Sequence, residues 1–421
     1  MIAVTPSLHS MSSLQSANRF AMNQHGESWH RLCPVELERM SVSVFDELQA
    51  HSALSFEQAR MLPLEAYSSE EVLDAELATV FAGDWQCVAR TADLREAGDY
   101  VCADLPVVGG GVRSIVTIRG EDSIRAFDNV CVHRGAQLLT GCGNETRITC
   151  PYHAWAYRHD GSLIGGPYMT ESTEADGAPF NPDHHRLPEI RLEVWNGFVF
   201  VNLDPDAEPL GPRLAGLDDI VGKFAMESYV TVRDEVDVWP TNWKLLVENF
   251  MDAYHVFKVH KESFGANGDN TANTEMYPGT LDWAHHRVVE ADGPNLTADG
   301  DDRLDGEWRR TIVLAAIFPG FVIQLQPDWL WFLRITPMGT DQVRIAWQVA
   351  VAPTTLAAAD DPDELVADIN ALIDQVNSED HPVVAEIRRS VDRPQFDRAP
   401  LSYLERNVFD FDRYLTTRLS R

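Results

Sequence analysis

Basic residues are scarce in this chain of 421 residues: 34 Lys and Arg stand against 65 Asp and Glu, a formal charge of -31. Such an excess repels phosphate backbones and anionic lipid surfaces, so neither nucleic acid nor a membrane surface is an expected partner. Long apolar runs are missing as well. The most apolar stretch, Ile312 to Ile323, is broken by Pro319-Gly320 and is too short to span a bilayer. The first thirty residues hold no basic segment followed by an apolar run, so no secretory signal is expected and a cytoplasmic location is. Only six cysteines occur, too few to staple a chain this long, and in a reducing compartment they point to metal ligation rather than disulfides. Internal repeats are absent, which removes solenoids and propellers.

What is present fits an ordinary globular protein. Hydrophobic residues make up 44% and charged residues 24%, and at roughly 100–200 residues per domain the chain should hold two or three. Residues 1–62 read as an N-terminal arm that ends in a helical stretch around Val44 to Met61. The run SSEEVLDAELATVFAGDW from Ser68 carries a serine cap, early acids and helically spaced apolar positions at Val72, Leu73, Leu77 and Phe81. From Tyr100 to Gly166 short β-rich runs alternate with Gly-, Asn- and Asp-containing turns, the pattern of a small antiparallel β domain. The loop-like segment from Gly166 to His185 marks a boundary, giving an expected second domain over 63–182 and a third over 183–421. The third mixes strands such as FVIQL, LWFLRIT and VRIAWQVAVA with helical segments near 241–260 and 362–390. An α+β fold with a broad antiparallel sheet and packed helices is expected there.

Two constellations carry chemistry. In the first, Cys131-Val132-His133 and Cys150-Pro151-Tyr152-His153 stand sixteen residues apart, each at a strand end before a turn. Two hairpin tips of this kind can converge on a structural zinc or on a [2Fe–2S] cluster held by two cysteines on one iron and two histidines on the other. Cys142 is left over and reads as a loop residue.

In the second, TNWKLLVENFMDAYHVFKVH has an apolar stripe through Trp243, Leu246, Val247, Phe250, Tyr254 and Phe257, so the helix should be buried. Glu248, Asp252 and His255 nevertheless share one face, and buried acids and imidazoles must be paired or bind metal. His255 and His260 are five apart, about 140° around an ideal helix. The helix must end or distort between them if both are to reach one metal; a hydrogen-bonded polar network is the alternative. Two imidazoles need one carboxylate to complete a facial triad on Fe(II). In LVADINALIDQVNSEDHPVVAEIRRSV, Asp380 falls where the helical stripe predicts a core residue, with a helix cap before Pro382 as the competing explanation.

The segments NVCVHRGAQL and CPYHAWAYRHDG resemble the cluster-binding loops of Rieske non-haem iron oxygenases. Glu248-x3-Asp252-x2-His255-x4-His260 resembles the mononuclear iron motif of the same family, the aromatic ring-hydroxylating dioxygenase alpha subunits. The resemblance implies an N-terminal antiparallel β Rieske [2Fe–2S] domain joined to a helix-grip α+β catalytic domain. It implies Cys131 and Cys150 on one cluster iron, His133 and His153 on the other, and His255, His260 and a carboxylate on a mononuclear Fe(II). The family places that carboxylate in a similar Glu-Asp context, which favours Asp380 over Glu379 and Asp374. By the same resemblance the chain works as a homotrimer, in which Asp252 bridges its own His255 and the cluster ligand His153 of the adjacent subunit. The extra cysteines that form a disulfide in respiratory Rieske proteins correspond to Ala136 and Tyr152, so that bridge is absent. Ala154 departs from the usual glycine before Trp155, a change expected to matter little because it adds only a methyl group.

The implied function is that of a terminal oxygenase that activates O₂ with electrons from NAD(P)H. Because no GxGxxG-type loop follows a strand, those electrons require a separate reductase, with or without a ferredoxin. The expected reaction is hydroxylation or oxidative N-demethylation of a small organic substrate, with quaternary ammonium compounds favoured. The alternatives are a ring-hydroxylating dioxygenase that forms a cis-diol, and an electron carrier without oxygenase activity. Phe318, Phe321, Gln324, Gln326, Trp329, Trp331 and Phe332 lie on neighbouring expected strands, where they form either a substrate cage with cation–π character or plain core.

Overall fold

The computed structural model describes residues 43–264, 270–289, 295–298, 301–393 and 397–420. Residues 1–42 of the expected arm lie outside this range. The described chain opens with α1 (Val44–Ser52), then α2 (Glu70–Glu76), which continues as one wider turn over Leu77–Phe81. The Ser69 side chain caps α2 by accepting from the Val72 amide at 3.3 Å, and Glu70 and Glu71 sit against the positive end of the helix dipole. Both helices bury apolar residues, Val44, Leu48, Val72 and Phe81 among them, in the same core as Trp243.

Ten short strands follow: β1 (Gln86–Arg90), β2 (Asp99–Val107), β3 (Gly111–Arg119), β4 (Ile124–Asp128), β5 (Cys142–Asn144), β6 (Ile148–Thr149), β7 (Ala156–Tyr157), β8 (Leu163–Gly165), β9 (Glu189–Trp195) and β10 (Phe198–Asn202). Seven form one antiparallel sheet in the order β1-β10-β9-β4-β3-β2-β5, and β6-β7-β8 form a small second one. Strands β9 and β10 complete the first sheet, so the expected boundary at 182/183 does not coincide with the end of that sheet.

After α3 (Leu210–Val221) comes β11 (Val230–Trp239), then α4 (Trp243–Met251) and α5 (Val256–Val259). Next are β12 (Thr274–Met276), β13 (Trp283–Val289), β14 (Thr311–Ile317), β15 (Phe321–Leu325), β16 (Trp329–Pro337) and β17 (Val343–Val351). The chain closes with α6 (Pro353–Ala358), α7 (Pro362–Val391) and α8 (Arg406–Leu419). The second large sheet is antiparallel throughout, ordered β11-β17-β16-β15-β14-β13-β12. Its central strands β14 to β17 are mostly apolar and almost entirely buried because both faces are covered. Trp329, Trp331, Leu333 and Ile335 of β16 face a core shared with α4, α7 and α8, whereas Leu330 and Phe332 face one shared with α3, Phe198 and Phe200. Two strands lie outside those expected from the sequence: β9, although Ile190, Leu192 and Val194 alternate with charged residues, and β13, where His285-His286 interrupts any alternation.

Two helical expectations change. The segment near 241–260 is not one helix: α4 stops at Met251, Asp252 is extended (φ -85°, ψ 110°), and α5 starts only after His255. The expected apolar stripe therefore ends early, and Tyr254 and Phe257 are 48% and 47% exposed. Conversely, α7 runs unbroken for 30 residues with Pro382 inside it. Its Asp361 cap and Pro362 start set its beginning, and the proline forfeits one backbone bond that the buried face of the helix outweighs. Asp380 is thus an interior helix residue, not a cap. Among the described residues, no helix is long and apolar enough to cross a membrane.

Candidate functional site

The two Cys/His tips share one backbone design. The Cys131 amide donates to the Ala136 carbonyl at 2.8 Å and the Gly135 amide to the Cys131 carbonyl at 2.9 Å. The Cys150 amide likewise donates to Trp155 at 2.8 Å, and the Ala154 amide to Cys150 at 3.0 Å. The fourth residue after each cysteine is left-handed, Gly135 at φ 74° and Ala154 at φ 57°. Alanine at 154 is therefore not a minor departure: its methyl group sits in a backbone region that costs a non-glycine residue about 1–2 kcal/mol.

Both cysteines are buried and unbridged, and the Cys131 sulfur lies 3.1 Å from the Tyr157 hydroxyl. The His133 and His153 rings are 4.8 Å apart, and His133 stacks on Trp155 at 4.6 Å, so both imidazoles stand on the same side of the tips. Among the described residues, the one set of three or more His, Cys or acidic groups whose ligand atoms lie within 4.8 Å of one another is elsewhere. Two buried cysteines beside two adjacent imidazoles form the donor set of a two-iron cluster with separate cysteine and histidine ends.

The set that does converge is His255, His260 and Asp380. The break at Asp252 turns the chain so that His255 opens α5 and His260 closes it. Their Nε2 atoms come within 3.1 Å, and Asp380 Oδ1 lies 3.5 Å from one and 3.3 Å from the other. The remaining ring nitrogens face carboxylates: His255 Nδ1 is 3.1 Å from Asp252 Oδ2, and His260 Nδ1 is 2.8 Å from Glu379 Oε2. A second proton on one imidazole or a metal ion would satisfy two Nε2 atoms and a carboxylate oxygen this close, and two imidazoles with one carboxylate are the donor set of a facial triad. Carboxylates on the outer nitrogens fix the tautomer that such ligation needs.

Asn249 donates to Asp380 Oδ1 at 3.3 Å, and Ser263 to Glu379 at 2.6 Å. Neither was singled out from the sequence; Asn249 beside Glu248 was the only available hint. Asp374 is elsewhere, 2.8 Å from Arg233. The aromatic set does not converge: Phe321 and Phe332 pack against Phe198 on the far face of the sheet, Phe318 packs on Tyr414, and Trp331 adjoins Phe250 of α4.

Glu248, Asp252 and His255 border a cleft of about 680 Å³ between α4 and α7, otherwise mainly apolar with Val383, Ile387, Leu401 and Val408. Glu248 is half-buried, and loss of water around its carboxyl holds it up at about 8, although the Tyr67 hydroxyl donates to it at 2.8 Å. Burial raises Asp412 in the same way. An acid raised in the fold binds its proton more tightly there than in the unfolded chain. Its stabilising contribution is full below the ordinary value of 4.5 and is lost as pH rises through about 8. Glu248→Gln should therefore flatten the fall in melting temperature across that window; an unchanged slope would remove Glu248 as its source.

Residues 84–187 match the Rieske [2Fe-2S] domain, and residues 226–421 match the family described as ring hydroxylating alpha subunit (catalytic domain). The chain belongs to the Rieske non-haem iron oxygenase family, as an alpha, terminal-oxygenase type subunit. Among its relatives, the carnitine monooxygenase oxygenase subunit of Acinetobacter baumannii is 33% identical over 287 residues, covering 66% of this chain and 74% of that protein. The subunit of the same name from Escherichia coli is 38% identical over 212 residues. That match takes in 48% of this chain and spans about half, 53%, of the Escherichia coli protein. In fold, the chain is similar to the quaternary ammonium Rieske monooxygenase CntA in complex with L-carnitine (TM-score 0.71, 22% identity, 88% of this chain and 98% of that one). It is equally similar to naphthalene 1,2-dioxygenase from Rhodococcus sp. (TM-score 0.72, 21% identity, 89% and 98%).

Proposed function

We propose that this chain is the terminal oxygenase of a Rieske system that hydroxylates or oxidatively N-demethylates a small quaternary ammonium compound, using O₂. The observation that carries the reading is the meeting of His255, His260 and Asp380 in a chain whose tips also pair two buried cysteines with two adjacent imidazoles. The carnitine monooxygenase subunits among its relatives support the substrate class. When bound, a [2Fe–2S] cluster supplies single electrons and a mononuclear ferrous ion supplies oxygen activation. Cys131, Cys150, His133 and His153 would hold the first; His255, His260 and Asp380 would hold the second.

The chain's own residues do the rest. Asp252 fixes the His255 ring through Nδ1 and keeps an edge on the open cleft, where His153 of a second copy can reach it. The apolar lining of that cleft and the exposed Val132 and Tyr152 beside the cluster ligands are surfaces that could meet between copies, as the proposed homotrimer with paired sites on neighbouring subunits requires. Electrons come from NAD(P)H through a separate reductase, with or without a ferredoxin, in the cytoplasm. The division into an arm over 1–62, a cluster domain over 63–182 and an iron domain over 183–421 is part of the same proposal.

The test is the visible and EPR spectrum of anaerobically purified protein with iron analysis, followed by O₂ uptake on carnitine, choline and naphthalene with a reductase supplied. About three irons per chain and uptake with an ammonium compound are expected. A colourless zinc protein sinks the Rieske assignment, and a cis-diol from naphthalene without ammonium oxidation sinks the substrate class. Asp252→Asn should keep all the iron and lower turnover by about 10–100-fold, the usual cost of losing an outer hydrogen-bond partner. Single-turnover reduction kinetics at wild-type speed would remove its bridging role.

A further inference from the structure

The sequence leaves Glu379 as a rival of Asp380 for the third donor position, and the structure separates them. The two residues are neighbours on α7, so their side chains leave the helix about 100° apart. One reaches each side of the same imidazole: Asp380 Oδ1 approaches His260 Nε2 at 3.3 Å, while Glu379 Oε2 lies 2.8 Å from His260 Nδ1. Glu379 is also fully engaged elsewhere. Its Oε2 accepts from the Ser263 hydroxyl at 2.6 Å, and its Oε1 accepts from Gln375 Nε2 at 3.1 Å, one helical turn back.

We infer that Glu379 is the positioning residue for His260: it holds the ring through Nδ1, ties the chain after it through Ser263, and thereby aims Nε2 at the metal position. This rests on the mononuclear-iron reading proposed above. A carboxylate on Nδ1 keeps the proton there, leaves the lone pair on Nε2 and makes that nitrogen a stronger donor. His255 has the same arrangement with Asp252, yet the two carboxylates differ in setting. Asp252 follows a helix break and borders the open cleft, whereas Glu379 projects from the middle of α7 and does not line that cleft. Helix α7 thus sets both the third donor and the orientation of one of the other two. Because Glu379 and Asp380 sit on one helix, the third donor and the carboxylate that holds His260 keep a fixed spacing.

The experiment uses full-length protein that keeps its cluster, stripped of mononuclear iron by a chelator and titrated anaerobically with ferrous ion. Ferrous affinity and the near-infrared ligand-field bands are read for wild type, Glu379→Gln, Glu379→Ala, Ser263→Ala and Asp380→Ala. Cluster absorbance and melting temperature serve as controls for folding. The expected result is a ferrous affinity lowered by about 10–100-fold in both Glu379 variants, with shifted bands. Ser263→Ala should show a smaller shift in the same direction, and Asp380→Ala no saturable binding. Wild-type affinity and unchanged bands in Glu379→Gln and Glu379→Ala would overturn the positioning role and leave the iron site standing. Abolished binding in Glu379→Ala with retained binding in Asp380→Ala would overturn it by making Glu379 the ligand. A wild-type chain that takes up no ferrous ion would instead bring down the iron reading, and this inference with it.

Discussion

Asp380→Ala is expected to leave the protein red-brown while its iron falls from about three to about two per chain and its oxygen uptake disappears. The reason is charge as much as geometry. His255 and His260 bring two ring nitrogens within 3.1 Å of each other, and Asp380 Oδ1 is the oxygen donor within 3.5 Å of both. Without it a divalent ion would face two imidazoles and no adjacent anion, while Asn249 would lose its acceptor. His133→Ala should do the converse and bleach the protein, because it removes one of the two histidines expected on one cluster iron. The pair of variants separates the sites. Colourless Asp380→Ala protein, or Asp380→Ala protein that keeps three irons, would show that the ligand assignment is wrong.

The second large effect is on stability. Lys244 is 1% exposed on α4 and Glu76 is 0% exposed at the end of α2, with Nζ 2.7 Å from Oε1. The Trp243 indole donates to the other oxygen at 2.8 Å. Burial pushes the Glu76 carboxyl up, and Lys244 offsets that. Lys244→Met would strand the carboxyl, and breaking one side of a buried pair costs about 3–5 kcal/mol. A melting temperature lower by at least about 6 °C is expected at roughly 2–4 °C per kcal/mol, and Lys244→Met with Glu76→Leu should recover most of it. A single variant that melts with the wild type would show the pair to be energetically silent.

The helix carrying this pair also shows where sequence reading stops. Its stripe of Trp243, Leu246 and Val247 correctly marked a buried helix, since period and apolarity are local properties. That period runs on through Tyr254 and Phe257, however, and nothing local says that the chain leaves the helix at Asp252. The carboxylate there accepts from the Tyr254 amide at 2.5 Å and meets His255 Nδ1, contacts that exist only once the turn has formed. Pro382 misled in the opposite direction: it reads as a break, yet α7 passes through it because Ile373, Val376 and Val384 on the same helix are buried in the core. Glu76 and Lys244 carried no sign of their partnership, being 168 residues apart.

The sequence by itself determined the class of fold, the two Cys/His tips with their spacing, and the acid and histidine positions of the second motif. These follow from residue type and short-range period, which any local stretch of chain displays. Only the tertiary structure decided which of Glu379 and Asp380 faces which side of His260, why Ala154 sits in a left-handed turn, and which aromatic residues are plain core. Those are questions of direction, and a side chain's direction depends on the neighbours that packing brings to it from far along the chain.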